Sequence, residues 1–249
     1  MENSVKFLFS GDSALVIEFG NEISVDINKK IRKMMDNIKK ENIDGVIELV
    51  PTYCSLLVNY DVLKIDYQSL VEKLKTLLNN DNETVEDEEV TLIEIPTLYN
   101  DECGPDLAYV AEYNKLSKEE VIKIHTGTDY LVYMLGFMPG FTYLGGMSEK
   151  IATPRLESPR LQIYPGSVGI AGKQTGMYPS MSPGGWRIIG RTPLKLYNPD
   201  SETPVYISSG DYIRYISISE EEYNNILKKV KNNEYELNIR KVKRGELNA

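Results

Sequence analysis

Residues 136–193 read GFMPGFTYLGGMSEKIATPRLESPRLQIYPGSVGIAGKQTGMYPSMSPGGWRIIGRTP. Short β-prone runs alternate here with glycine and proline turns. The same pattern continues to about Tyr215, which predicts a closed or nearly closed β structure. The stretch holds 11 of the 18 glycines, 7 of the 12 prolines, four of the eight arginines and the only tryptophan, Trp186. Glycine lets backbone approach backbone or ligand, and proline freezes the loops that do so. Six cations (Lys150, Arg155, Arg160, Lys173, Arg187, Arg191) face two acids (Glu149, Glu157), a local +4 in a chain of formal net charge -9. Rigid, arginine-bearing loops of this kind suit a small anionic ligand.

Upstream of that stretch, Thr91–Ile95 reads as a strand and Pro105–Tyr113 as a short helix. Ser117-Lys-Glu-Glu120 is a capping box that starts a helix, which Gly127 can end. Tyr130–Leu135 is apolar and β-prone. Further upstream, residues 79–89, NNDNETVEDEE, carry six acids and cannot bury themselves, so they read as a linker. Before the linker, Val5–Phe9 and Ala14–Phe19 look like strands. Ile27, Ile31, Met34, Met35 and Ile38 fall at helical spacing within 24–40. Gly45–Val50 and Cys54–Tyr60 are again strand-like, and Leu70, Val71, Leu74, Leu77 and Leu78 mark a second helix. The order ββαββα predicts an α+β layer with helices on one face of the sheet. The expected organisation is an α+β domain over 1–80, an acidic linker over 81–89, a mainly-β barrel domain over 90–220, and a C-terminal helix with a basic, solvated tail over 221–249.

Composition excludes several classes. At 41% hydrophobic and 26% charged residues the chain has a globular composition. No apolar run approaches the ~20 residues of a membrane helix, and from the first residues no signal peptide is expected. Two cysteines, Cys54 and Cys103, form no CxxC pair, so a reduced, cytoplasmic protein is expected. The acidic balance argues against nucleic acid as partner. With one histidine, His125, a multi-histidine metal site is impossible within the chain and no metal site is expected.

His125 follows Val121 by four residues on the apolar face of its helix, in the last turn. It serves there either as a general acid or base, or as a half-buried residue stabilising the helix end. Pro154-Arg155-Leu-Glu-Ser-Pro159-Arg160 repeats Pro-Arg at a spacing of five. Guanidinium forks grip carboxylate or phosphate at two points. Five extended residues span at most ~18 Å and place the side chains on opposite faces, so both arginines reach one ligand only if the loop bends. The alternative is a pair of structural arginines pinning loop carbonyls. Gly172-Lys173 invites comparison with a phosphate loop, but Ser167 stands where the first glycine is needed and Gln174 follows the lysine. Gln174 and Thr175 can still orient a polar substrate, and the Gly184-Gly185 amides can hold an oxyanion. Ser182 lacks the elbow and triad context of a nucleophile. Phe137, Pro139, Phe141, Tyr143, Tyr178 and Trp186 read as core or pocket lining. Glu149 and Glu157 are the loop region's only acids, which suggests that catalysis needs residues of another polypeptide.

GFMPGFTYLGG at 136–146, PRLESPR at 154–160, PGSVGIAGKQTGMYP at 165–179 and SPGGWRIIGRTP at 182–193 together resemble the KipI / PxpB family, also called allophanate hydrolase subunit 1. GDSALVIEFG at 11–20 and HTGTDYLVYMLGF at 125–137 extend the resemblance over nearly the whole chain. The resemblance implies an N-terminal α+β domain and a C-terminal cyclophilin-like β-barrel. It implies a sister subunit of the KipA or PxpC type and a third subunit of the PxpA type. Together these form a 5-oxoprolinase that opens 5-oxoproline to L-glutamate with hydrolysis of ATP, bound with Mg2+ in the complex. It also raises two other roles: inhibition of a sporulation histidine kinase, and the carboxyltransferase half of a urea carboxylase, which handles carboxybiotin and urea. Under the first role, Arg155 or Arg160 is expected to hold the substrate carboxylate. Gln174, Thr175 or the Gly184-Gly185 amides are expected to polarise the lactam oxygen.

Overall fold

The computed structural model describes residues 5–78 and 89–248. The backbone divides into two compact units, 1–85 and 86–249. The linker expected over 81–89 lies outside the described residues except for Glu89, which is instead the first residue of a strand.

The first unit runs β1 (Lys6–Phe9), β2 (Ala14–Glu18), α1 (Val25–Glu41), β3 (Val46–Pro51), β4 (Ser55–Tyr60) and α2 (Tyr67–Leu78), in the expected order. Its sheet is antiparallel throughout, in the order β1-β2-β4-β3. Alternation sets the buried face: Leu15 and Ile17 of β2 and Leu56 and Val58 of β4 are fully buried, as a period of two demands. Ile31, Met34 and Ile38 of α1 and Leu70 and Leu74 of α2 close that core. Burying each such side chain stabilises the fold by roughly 1.5–3 kcal/mol. Ser24 caps α1 by accepting from Asp26 N–H, and Asn42 ends it in the left-handed region at φ 49°.

The second unit is larger. It contains β5 (Glu89–Thr97), α3 (Leu107–Tyr113), α4 (Lys118–Thr126), β6 (Asp129–Leu135), β7 (Thr142–Gly145), β8 (Arg160–Ile163), β9 (Ser167–Ala171), β10 (Gln174–Met177), β11 (Ser182–Gly184), β12 (Arg187–Arg191), β13 (Tyr212–Ser217), α5 (Glu220–Lys231) and β14 (Ile239–Lys243). Eight strands form one sheet in the order β12-β9-β10-β7-β6-β13-β5-β14, and β8 and β11 pair separately. Only β5 and β13 run parallel. The capping box at Ser117 is formed, with both reciprocal bonds to Glu120.

Two expectations change. Strand pairing does not run continuously round as a closed barrel: β12 and β14 are the sheet's ends. One bridge, with hydrogen bonds of 2.9 and 3.0 Å between Leu98 and Arg191, joins the chain beyond β5 to β12. The basic tail is not solvated coil either. Residues Ile239–Lys243 form β14 on the edge of β5, where Arg240 pairs with Glu94 at 2.9 Å. Tyr235 and Leu237 pack against the unit's core, which holds the tail against the sheet.

Candidate functional site

An aromatic cluster lies on the outer face of β7, β9 and β10. Leu144, Ile170 and Thr175 point to the buried interior, so their neighbours Phe141, Tyr143, Ala171 and Gln174 fall on the other face. Phe141, Ile163, Ala171, Tyr178, Trp186 and Ile188 form a small second core there, with Met138 and Tyr143 packed against it. The rings meet edge to face: Phe141 is 5.4 Å from Trp186 at 85° and 5.2 Å from Tyr178 at 80°, the geometry ring quadrupoles favour. Two glycines in register, Gly169 and Gly176, form the floor beneath the indole. A Cβ on Gly176 would stand 3.1 Å from Trp186 Cζ3 and 2.7 Å from the Thr142 carbonyl oxygen. The aromatic residues expected as pocket lining are therefore gathered in one place, mostly as packed wall. Pro139 is exposed. Phe137 is 65% exposed at φ 68°, a left-handed conformation rare for a bulky residue, and it meets Phe141 edge-on at 5.5 Å.

Arg155 is exposed on this cluster, its guanidinium carbon 5.9 Å from the Trp186 ring centroid. No acid among the described residues forms an ion pair with it. Burial pushes the Tyr178 hydroxyl up to about 12, against the opposing effects of Arg155 and the Trp186 N–H. Tyr178 therefore keeps its proton at neutral pH. Thr153 and Gly172 exchange backbone bonds of 3.1 and 2.7 Å. That bridge lays the start of the Pro-Arg segment against the turn before Gln174. The Leu156 N–H donates to the Gly185 carbonyl at 2.7 Å, strapping the same segment to the second glycine pair. Gly184 pairs with Arg160, and a Cβ on it would stand 2.5 Å from the Tyr178 hydroxyl oxygen. Gly184 thus serves close packing, whereas a Cβ on Gly185 would meet nothing nearer than 3.7 Å.

The other arginine of the pair is committed elsewhere. Arg160 Nη2 donates to Asp106 Oδ1 at 2.8 Å, and Arg187 Nη1 lies 3.8 Å from the same oxygen. Arg187 also stacks on Tyr109, its guanidinium carbon 3.7 Å from the ring centroid. Lys173 pairs with Glu149, and Arg191 lies over Tyr164 at 5.1 Å. The local excess of positive charge is thus mostly absorbed by partners, and the expectation that Arg160 grips a ligand gives way to a structural role.

His125 and Thr175 also leave the site. Both are fully buried in the unit's interior, and His125 Nε2 lies 2.8 Å from Thr175 Oγ1. Thr175 Oγ1 donates to the Gly169 carbonyl at 3.1 Å, so its lone pair accepts the Nε2 proton. Nδ1 then accepts from the Tyr99 hydroxyl at 2.8 Å. Burial lowers the His125 pKa to about 3. A neutral imidazole with both nitrogens engaged and no path to solvent holds the core together. It does not exchange protons with a ligand, because reach comes before pKa.

Sequence reasoning missed Asp106. Its signal was present as Gly104-Pro105-Asp106 ahead of a helix, a capping pattern. The carboxylate turns instead to Arg160 and to Ile188 N–H at 2.7 Å.

The sequence model of the carboxyltransferase domain, subdomains C and D, matches residues 5–207. The chain belongs to that family. This carboxyltransferase-type chain is 45% identical over 223 residues to a 5-oxoprolinase subunit of Bacillus subtilis, an alignment covering 86% of the chain and 92% of the relative. Among solved structures, the conserved uncharacterized protein PH0987 from Pyrococcus horikoshii is 50% identical, with 88% of this chain and all of that one covered at a TM-score of 0.52. The urea carboxylase of Kluyveromyces lactis shares the fold at a TM-score of 0.78 and 18% identity, across 96% of this chain and 24% of that protein. Among the described residues there is no group of three or more His, Cys, Asp or Glu suited to a metal ion, and no helix long and apolar enough to cross a membrane. Two surface depressions lie in the first unit, beside Asn42–Val46 and Met35–Leu49, and neither includes a residue of the aromatic site.

Proposed function

We propose that this chain is the PxpB-type subunit of a 5-oxoprolinase and contributes the carboxylate-recognising part of its site. The observation that carries the reading is the match to the Bacillus subtilis 5-oxoprolinase subunit over 86% of this chain and 92% of that one. The geometry supports a location for the contact: an exposed guanidinium with no ion-pair partner among the described residues, beside an indole wall. 5-Oxoproline has one carboxylate, one lactam and a short apolar ring edge. The Arg155 fork takes the carboxylate in two charge-assisted bonds, the methylenes lie on Trp186, and the Gln174 amide orients the lactam. In the reaction water adds to the lactam carbonyl carbon, the ring C–N bond breaks, and the nitrogen takes a proton to give glutamate.

Activation of the lactam belongs to a partner subunit in this reading. Gly172-Lys173 lies in the β9–β10 hairpin turn, with Lys173 paired to Glu149, and no helix N-terminus follows to cradle phosphate. These residues do not fit a nucleotide–Mg2+ site. ATP is therefore assigned to a sister subunit of the KipA or PxpC type, working with a PxpA-type subunit in the cytoplasm. The Leu98–Arg191 bridge supports a cyclophilin-like barrel as the working form of the second unit. Carboxyl transfer to urea is the weaker reading, since the urea carboxylase likeness carries fold alone at 18% identity. Co-expression with the sister subunits, followed by glutamate release from 5-oxoproline and ATP, tests the proposal. The assembly should turn over and the isolated chain should not. Turnover by the isolated chain, or none by the assembly, would reject it.

A further inference from the structure

We infer that Asp106 is a positioning residue, which holds Arg155 and Trp186 in place through two arginines and one strand. The inference rests on the reading of the aromatic site given above and names what keeps that site rigid. Asp106 is 5% exposed and stands just before α3, far in sequence from Arg160, Arg187 and Ile188. It binds Ile188 twice: its N–H donates to the Ile188 carbonyl at 2.9 Å, and its Oδ2 accepts from the Ile188 N–H at 2.7 Å. Its Oδ1 accepts from Arg160 at 2.8 Å. Each arginine then reaches a backbone carbonyl flanking the site. Arg160 Nη1 donates to Trp186 O at 3.4 Å, and Arg187 Nε donates to Pro154 O at 3.3 Å. Pro154 precedes Arg155 in the chain, so the carboxylate lies at the hub of a ring joining residues 154, 160, 186, 187 and 188.

The physical logic is one of shared charge. A buried carboxylate is costly unless paired and hydrogen-bonded, and here Arg160 and the Ile188 N–H supply its hydrogen bonds while Arg187 adds positive charge at 3.8 Å. The inward orientation of the two arginines fixes the carbonyls of Pro154 and Trp186. Without the carboxylate, two guanidiniums would repel each other and turn to solvent or ligand, releasing the loop that carries Arg155. Loss of such a support displaces a contact group and weakens binding without removing the group itself.

The test uses the assembled enzyme with Asp106→Asn and Arg160→Leu. Each should raise the KM for 5-oxoproline about tenfold while kcat falls less than about threefold. Trp186 is the chain's sole tryptophan, so the emission of the isolated full chain should shift to the red in both variants, a change confined to this site. Asp106→Glu should recover part of the affinity. If Asp106→Asn does not fold, Arg160→Leu decides, because it leaves both bonds between Asp106 and Ile188 in place. Folded variants with unchanged KM and unchanged emission would overturn the inference. Arg155→Ala in the same assay separates the two ideas. If it leaves KM unchanged, the site reading itself fails. If it raises KM while the Asp106 and Arg160 variants do not, only the positioning role fails.

Discussion

His125 Nε2 donates to Thr175 Oγ1 across 2.8 Å in the interior of the second unit. The sequence offered both residues as site groups. Their bond shows that each is the other's reason for being buried, with Tyr99 completing the set at Nδ1.

A pH dependence of stability follows. The folded histidine is held neutral, its pKa lowered by burial from 6.5 to about 3, so below pH 6.5 the unfolded chain binds a proton that the folded chain refuses. The histidine's contribution to stability is therefore flat above pH 6.5 and falls as pH drops toward 3, by up to about 1.4 kcal/mol per pH unit. Urea unfolding at pH 7, 6 and 5 should show that slope. His125→Asn should be less stable at pH 7 but should lose the slope. An equal slope in both proteins would place its origin elsewhere.

The glycine floor beneath Trp186 gives a second outcome. Gly176→Ala sets a methyl 2.7 Å from the Thr142 carbonyl oxygen and 3.1 Å from the indole. Backbone cannot yield there as a flexible side chain would, so a loss of about 1–3 kcal/mol is expected from overpacking, with a change in Trp186 emission. Thermal unfolding indistinguishable from wild type would show that the floor tolerates a side chain.

Arg214 and Asp129 form a third. Nε and Nη2 of Arg214 donate to the two carboxylate oxygens, each at 2.6 Å, and Asp129 is fully buried. Arg214→Met strands a buried carboxylate and should cost about 3–5 kcal/mol. The double variant with Asp129→Asn should recover much of that loss. Additive losses in the double-variant cycle would contradict a coupled pair.

What the sequence made legible was local. Helix α1 declared itself through Ile27, Ile31, Met34, Met35 and Ile38 at helical spacing, and four of the five are buried while Met35 is half-buried. The capping box at Ser117 needs only its own four residues. The aromatic cluster was visible as a composition of rings among glycines, although what looked like pocket lining is largely packed wall. The misses all lie in long-range pairing. Asp106 meets Ile188 across 82 residues, and His125 meets Thr175 across 50. Strand β14 joins β5 with Lys241 and Thr91 separated by 150. No periodicity or cap announces such partners, because the energy that selects them is set only when the sheet closes around them. For the same reason two identical Pro-Arg units could not be told apart. Arg160 has Asp106 within reach and Arg155 does not, and that difference is written 54 residues away.

The central claim is that Arg155 grips the carboxylate of 5-oxoproline beside Trp186. The most direct measurement is kcat/KM for 5-oxoproline in the assembled enzyme carrying Arg155→Ala and, separately, Arg155→Lys. Loss of a two-point charged contact should lower kcat/KM about 100-fold in the alanine variant, mainly through KM. Lysine, a point charge without the fork, should restore only part of it. A kcat/KM within about twofold of wild type in the alanine variant would contradict the account.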